Sequence, residues 1–240
     1  VNKKDIIQGV YQGLAVPATG PFPPASWAWN PEVQSVPFDP VKASELLKAA
    51  GWVDVNGDGI LEKDGKPFQF TLITNQGNKV RESIAQILQN NFQQIGIKMD
   101  IHIIEWSVFI HKYLDERTFE ACLLAWSLAR DPDAFSIWHS SQKGKNHYNF
   151  VSYNNLEVDK LLEEGRTTFN TEKRKKIYHK IHALIAHDVP YLFLVHPESL
   201  PVVHKKIIGV ETAPAGIGWN FIKWYIPKAW QSKTGYAASS

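Results

Sequence analysis

Asp131 and Asp133, with His139 close behind them, are the residues whose types and spacing come nearest to catalytic machinery in this chain. A pair of carboxylates can divide acid and base work, and a nearby histidine can carry the proton, which would make the chain an α/β hydrolytic enzyme domain. Against that, Asp131-Pro132-Asp133 after an apolar run is more often a cap and a turn than a site. Carboxylates two positions apart also tend to diverge. The sequence holds no Gly-x-Gly-x-x-Gly after a strand, no phosphate loop, no His-Glu-x-x-His and no Gly-x-Ser-x-Gly elbow, and each absence lowers the enzyme reading.

Two further sets of ligand-type residues read as scaffold. His179, His182 and His187 share a helical stretch, and the first two, three apart, lie on one face, but no third ligand at helical spacing or carboxylate partner joins that pair, so they are expected to form a polar helix face. Asp54, Asn56, Asp58 and Glu62 resemble the first half of a calcium loop. The twelfth position, where a bidentate glutamate belongs, is Gly65, so the segment is expected to be a β-hairpin turn. Neither a metal nor a cofactor is expected, and no catalytic residue is assigned.

What surrounds Asp131 points to binding. Leu123 to Ser141 begins inside the apolar run Phe119 to Ala125, breaks at Trp126-Ser127, and passes through Arg130-Asp131-Pro132-Asp133 into a helical segment holding Phe135, Ile137 and Trp138. An aromatic ring, a hydroxyl, a cation and two carboxylates thus lie just past the C-terminal end of a buried strand, where open α/β sheets bind ligands. Trp126, Ser127, Arg130 and Asp131 are the candidates there. Asp131-Pro132 also reads as a helix start, with the carboxylate as N-cap.

The elements that must position these residues follow from periodicity. Residues 3 to 14 form a short amphipathic helix, and residues 17 to 40 a proline-rich loop whose Trp27, Trp29, Phe22 and Phe38 require it to pack. Asp39-Pro40 starts a helix that Gly51 ends. Strand Phe68 to Thr74, the helix carrying Val80, Ile84, Ile87, Leu88, Phe92 and Ile95, strand Ile97 to Ile103, helix Trp106 to Leu114 and strand Phe119 to Ala125 then alternate. That order predicts βαβ units on a mostly parallel sheet flanked by helices. A polar loop from 144 to 153 leads to helices over 156 to 169 and 171 to 187, and a buried strand over Tyr191 to Val195. The last forty-five residues, rich in proline, glycine and tryptophan, keep no period and are expected to pack on another element.

Composition sets the outer limits. The 240 residues are 44% hydrophobic with a net charge of +2, too mild to imply nucleic acid, and the basic run at residues 172 to 176 reads as a solvated helix face. Cys122 is the one cysteine, which excludes an intrachain disulfide. No stretch reaches the ~18 apolar residues of a membrane span. The opening Val1-Asn2-Lys3-Lys4-Asp5 lacks a signal-peptide core, and a chain starting without methionine inside a helical pattern suggests processing or a fragment.

Several stretches together carry a family resemblance: NKKDIIQGVYQG (2 to 13), PATGPFPP with WAWN (17 to 30), FDPVKASELLKAAGW (38 to 52), residues 54 to 66, 126 to 141, NFVSYNNLEVDKLL (149 to 162) and 188 to 195. In that order they resemble the C-terminal half of family 5 solute-binding proteins, the oligopeptide, dipeptide and nickel receptors of ABC importers. The resemblance implies a type II periplasmic-binding-protein-like lobe over residues 1 to 198. Residues 199 to 240 would return towards an N-terminal lobe of the same protein. It also implies a peptide, oligosaccharide or nickel-complex ligand, an ABC permease as partner, and a periplasmic or extracellular location with a lipid anchor through the absent N-terminus. In such receptors the cleft is lined by the loop after the lobe's first strand, here Asn75-Gln76-Gly77, and by the loop from Trp126 to Asp131. Peptide receptors resemble one another in a Trp-x-x-Asp that pairs with the peptide ammonium; here Ala129 takes the aspartate's place. The resemblance then leaves two options, Asp131 as substitute or Arg130 favouring an acceptor-rich ligand such as a carboxylate or a sugar.

Overall fold

Alternating apolar residues and a well-capped helix build the first βαβ unit of this computed structural model, which describes residues 1–213 and 216–231. Contacts divide the chain into two compact units, Val1–Pro197 and a second beginning at Glu198. Pro214 and the closing Gly235 to Ser240 lie outside the described residues.

In chain order, α1 (Lys3–Asp5) continues as a π-turn over Ile6–Val10, followed by β1 (Ala15–Pro17), α2 (Pro40–Ala49), β2 (Glu62–Lys63), β3 (Lys66–Pro67) and β4 (Gln69–Asn75). Then come α3 (Lys79–Gln93), β5 (Lys98–Ile104), α4 (Trp106–Val108, continuing to Leu114), β6 (Ala121–Cys122), α5 (Phe135–Trp138), α6 (Leu156–Thr167), α7 (Thr171–Asp188) and β7 (Val195–Pro197). The Asn78 side chain accepts from Arg81 N at 3.0 Å and starts α3, whose Ile84, Ala85 and Leu88 turn inward. Strands β4, β5 and β6 form a parallel sheet in the order β5-β4-β6, as the alternation predicted.

Successive residues of a strand face opposite sides, and here each side is covered. Leu72, Met99 and Leu123 pack with Ile6 and with Ile84, Ala85 and Leu88 of α3. Ile73 on the opposite face meets Phe109 and Leu114. The third cluster joins α6 and α7 to the proline-rich loop: Phe22 and Ala28 are buried with Trp138, Leu162, Tyr178 and Ile181, and Trp27 and Trp29 pack against them. The first half of that loop is therefore packed as expected, whereas Val36 and Phe38 are exposed.

Several expectations shift. The helix after the central loop starts at Phe135, because Asp131 faces Arg174 and it is Asp133 Oδ1 that accepts from Phe135 N at 3.1 Å. Of the strand expected over Phe119 to Ala125 only Ala121–Cys122 pairs fully. The strand expected over Tyr191 to Val195 lies at β7, paired antiparallel with the unforeseen β1. In this two-stranded ribbon Pro17 costs no ladder bond in a sheet interior. The tight hairpin is β2–β3, with Asp64 and Gly65 both at positive φ, and residues 54 to 61 form a separate loop before it. No residue of α2 is buried despite its apolar side chains. His182 is no surface residue: it is wholly buried against Gly20, where an added Cβ would come within 2.6 Å of its ring.

The second unit has its own tie. Ile208 and Tyr225 bridge antiparallel, and buried Asn220 donates to Gly209 O at 2.7 Å while accepting from Trp224 Nε1 at 2.8 Å. Gly209 has φ +84°, and a Cβ there would strike Lys223 O at 2.5 Å, so only glycine allows this closure.

Candidate ligand-binding site

The parallel register brings three loops to one end of the sheet. Asn75 is level with Ile104, and Leu123 N donates to Ile73 O at 2.9 Å while Thr74 Oγ1 donates to Leu123 O at 3.2 Å. Chain leaving β4 as Asn75-Gln76, β5 as Glu105-Trp106 and β6 as Trp126-Ser127 therefore emerges on the same edge. That edge is where a parallel sheet offers its loops to a ligand.

Asn75 is half-buried and oriented: its Nδ2 donates to Gln76 O at 3.1 Å and its Oδ1 accepts from Arg81 Nη1 at 2.5 Å. Gln76 anchors its backbone on Ile104 O at 2.7 Å and leaves its side chain exposed. Trp126 lies parallel to Phe150 at 5.8 Å and edge-on to Tyr148 at 5.7 Å, yet remains 38% exposed. Arg117 fixes this aromatic group, lying 5.4 Å over Phe150 and donating to the carbonyls of Gly144 and His147. Burial pushes the Tyr191 hydroxyl up to about 12, with the Trp126 indole acting the other way. Ser127, Ala129 and Arg130 are exposed. Among the described residues, Arg130 makes no ion pair.

Asp131 stands apart from these neighbours. Both its oxygens accept from Arg174, at 2.6 and 2.8 Å, and that hydrogen-bonded pair holds its carboxyl below the usual range. Arg174 in turn lies 5.3 Å from both the Trp27 and Tyr178 rings. Asp133 turns instead to Arg166 Nε at 2.9 Å, whose guanidinium lies 4.1 Å over Phe135. The two carboxylates diverge and join the central segment to α6 and α7. His139, buried and stacked on Phe135 at 4.1 Å, accepts from Ser141 N at 3.1 Å. This arrangement explains Asp131, Asp133 and His139 as scaffold.

Among the described residues, no other candidate chemistry gathers at the sheet end. Burial pushes the Cys122 thiol up to about 11, which keeps it protonated. The carboxylates of Asp54, Asp58 and Glu62 come within 4.8 Å of one another, and they accept from the amides of Gly57, Gly59, Ile60 and Val55 in their own loop. A cavity of about 320 Å³ lies between Lys3, Thr19, Ser35 and Leu192. Its lysine already donates to Ala18 O at 2.6 Å and Ser35 Oγ at 2.9 Å.

Sequence reasoning missed Glu105, Trp106, Tyr148, Phe150 and Arg81 at this edge. The β5 pair was readable, since the alternation ending at Ile103 marks a third strand end. Arg81 was readable too, as the residue three positions past a capping asparagine. Tyr148 and Phe150 carried no period and depend on the fold.

With this geometry in hand, three likenesses are informative. Residues 1–147 match the description "Bacterial extracellular solute-binding proteins, family 5 Middle". The oligopeptide-binding protein AppA of Bacillus subtilis is 38% identical over 231 residues, covering 95% of this chain and 42% of that protein. Its structure in complex with a nonapeptide superposes with a TM-score of 0.80 at 37% identity, over 95% of this chain and 46% of that one. The structure of NikZ from Campylobacter jejuni in complex with Ni(L-His) gives 0.77 at 30% identity, over 93% and 46%. The chain spans less than half the length of these relatives, and its α/β fold is the type II binding-protein fold they share.

Proposed function

The chain belongs to the bacterial extracellular solute-binding proteins, family 5, and on that premise we propose that it is the C-terminal ligand-binding lobe of an ABC-importer receptor for peptides. The observation that carries the reading is the edge of the β5-β4-β6 sheet, where Asn75, Trp106 and Trp126 stand at three strand ends with exposed polar neighbours. Such an edge can cover a side chain with aromatic faces and bond a peptide backbone, and it needs no reacting group. Peptide is favoured over sugar or metal complex because a 38% identical relative is named for oligopeptides.

In this reading residues 1 to 198 form one jaw and residues 199 to 240 return towards a second lobe, closing on the solute by a hinge motion. Exposed Phe221, Ile222 and Trp230 in the second unit suit contact with that lobe. The closed receptor delivers to a membrane permease, and a lipid anchor upstream would hold it outside the cell membrane. Ala129 stands where peptide receptors carry an amine-binding aspartate, and Asp131 is committed to Arg174, so the peptide ammonium is read by other groups. The test is a thermal-shift screen of the full-length gene product against pooled tri- to nonapeptides, oligosaccharides and nickel complexes. A rise with peptides alone is expected; a rise only with sugars or nickel complexes would reassign the ligand, and no rise with any would overturn the reading.

A further inference from the structure

The helical hairpin of α6 and α7 carries a surface that solute capture does not use. Gly165 sets its close packing, since an added Cβ there would come within 2.7 Å of the Tyr178 ring. The turn between the helices is firmly tied. Asn170 Oδ1 accepts from Lys173 N at 3.0 Å, Arg174 Nε donates back to Gly165 O at 2.7 Å, and Thr167 Oγ1 donates to Glu164 O at 3.2 Å. On that ordered turn Phe169 is 97% exposed, the most exposed aromatic side chain among the described residues. A ring held in water contributes no burial energy to the fold.

Cations surround the ring. Arg166 and Arg174, on either side of the turn, are committed to Asp133 and Asp131. Lys173, Lys175 and Lys176 are exposed, and among the described residues none of the three makes an ion pair. Lys173 and Lys176, three apart, share one side of α7, and Phe169 lies four positions before Lys173. Lys180 continues that stripe and pairs with Glu157. Glu172 is the one carboxylate within residues 169 to 176, and Glu163 and Glu164 lie further back on α6. The tip is therefore a projecting apolar ring beside a basic stripe.

We propose that this hairpin tip docks on an anionic lipid surface, with Phe169 entering the headgroup layer and Lys173, Lys175 and Lys176 meeting its phosphates. A protein partner would need a pocket shaped to the ring, whereas a headgroup layer adapts to a convex turn. Long lysine stems let the ammonium groups stay with the phosphates while the ring lies deeper. One ring and three lysines bind weakly alone, so the tip orients a receptor at the membrane rather than holding it there. The inference takes from the proposed function only that the protein works beside a membrane, and it needs no solute.

The probe is uptake of the full-length gene product, prepared without lipid modification, by sedimented vesicles of phosphatidylcholine alone or mixed equally with phosphatidylglycerol. The mixed vesicles should take up about tenfold more protein, and raising salt to about 0.5 M should remove the difference. Lys173→Gln, Lys175→Gln and Lys176→Gln combined should erase the preference for mixed vesicles, and Phe169→Ala should lower uptake by them about threefold. These side chains are exposed, so circular dichroism and calorimetric peptide binding should not change. Equal uptake by the two vesicle types in the unsubstituted protein would overturn the assignment, and it requires no variant to fold. A preference that survives the combined lysine substitutions would overturn it too. Equal uptake together with lysine-dependent retention on immobilised polyglutamate would give the surface to an acidic protein instead of a lipid. Loss of peptide binding with the vesicle preference intact would count against the solute reading alone.

Discussion

Residues 126–130 and 131–141 are neighbours in sequence and opposites in physical state. From Trp126 to Arg130 the side chains are exposed and mostly uncommitted, although the segment springs from a half-buried strand. From Asp131 to Ser141 most polar groups are satisfied: Asp131 by Arg174, Asp133 by Arg166, His139 Nδ1 by Ser141, and Ser140 N by Asp159 at 2.8 Å, with the buried Nε2 of His139 left without a hydrogen-bond partner. The second segment is richer in catalytic residue types, yet its chemistry is used up in holding the fold. Unsatisfied capacity, more than residue type, separates a binding surface from a scaffold.

Breaking the saturated segment should cost stability first. Trp138, 2% exposed and packed on Tyr153, Tyr191 and Phe193, is expected to lose about 3–5 kcal/mol on Trp138→Ala, read from denaturant midpoints at constant m-value. A loss below 1 kcal/mol would mean that this core is not as packed as described.

The next effect comes from acid. His182 is buried neutral beneath the proline-rich loop, with Nε2 3.2 Å from Thr19 Oγ1 and its pKa pushed down to about 4 by burial, then by His196 and His179. Lys3 adds positive charge near His196, and the aromatic partner of His182 is Phe22. A depressed pKa means that the unfolded chain takes the proton first, so this stability is complete above about pH 6.5 and is lost as pH falls towards about 4. The loss should be on the order of 3 kcal/mol, and His182→Gln should flatten that part of the stability profile. An unchanged slope would remove His182 from the account.

The smallest effect belongs to the half-exposed ion pair. Asp131→Asn should cost no more than about 1 kcal/mol at pH 7, since solvent screens the pair. The pair holds the Asp131 carboxyl low, so the difference from the unsubstituted protein should fade as pH falls through the carboxylate range. Peptide affinity should be unchanged within twofold; a larger drop would return Asp131 to the ligand.

Much of the fold was legible because its signals are local. Asn78, the spacing of Ile84, Leu88, Phe92 and Ile95, and the strands on either side announce β4-α3-β5 without help from the rest of the chain. Other features hinge on distant residues. Asp131 reads as a helix cap until Arg174, forty-three positions away, claims its carboxylate. The three-residue pairing of β1 with β7 is too short to leave a period, and His182 is buried only because Gly20 lacks a side chain. At the candidate site, the strand-end positions of Trp126, Asn75 and Gln76 follow from the order of strands, whereas Tyr148 and Phe150 beside Trp126 carry no period and depend on the fold.

The central claim is that the solute meets the sheet-end loop before Asp131. It is tested most directly by comparing Trp126→Ala with the unsubstituted full-length gene product in a calorimetric peptide titration and a thermal melt. Because Trp126 is 38% exposed, the account predicts an affinity loss of about tenfold or more with Tm lowered by only a few degrees. Unchanged affinity in a folded Trp126→Ala protein would contradict it.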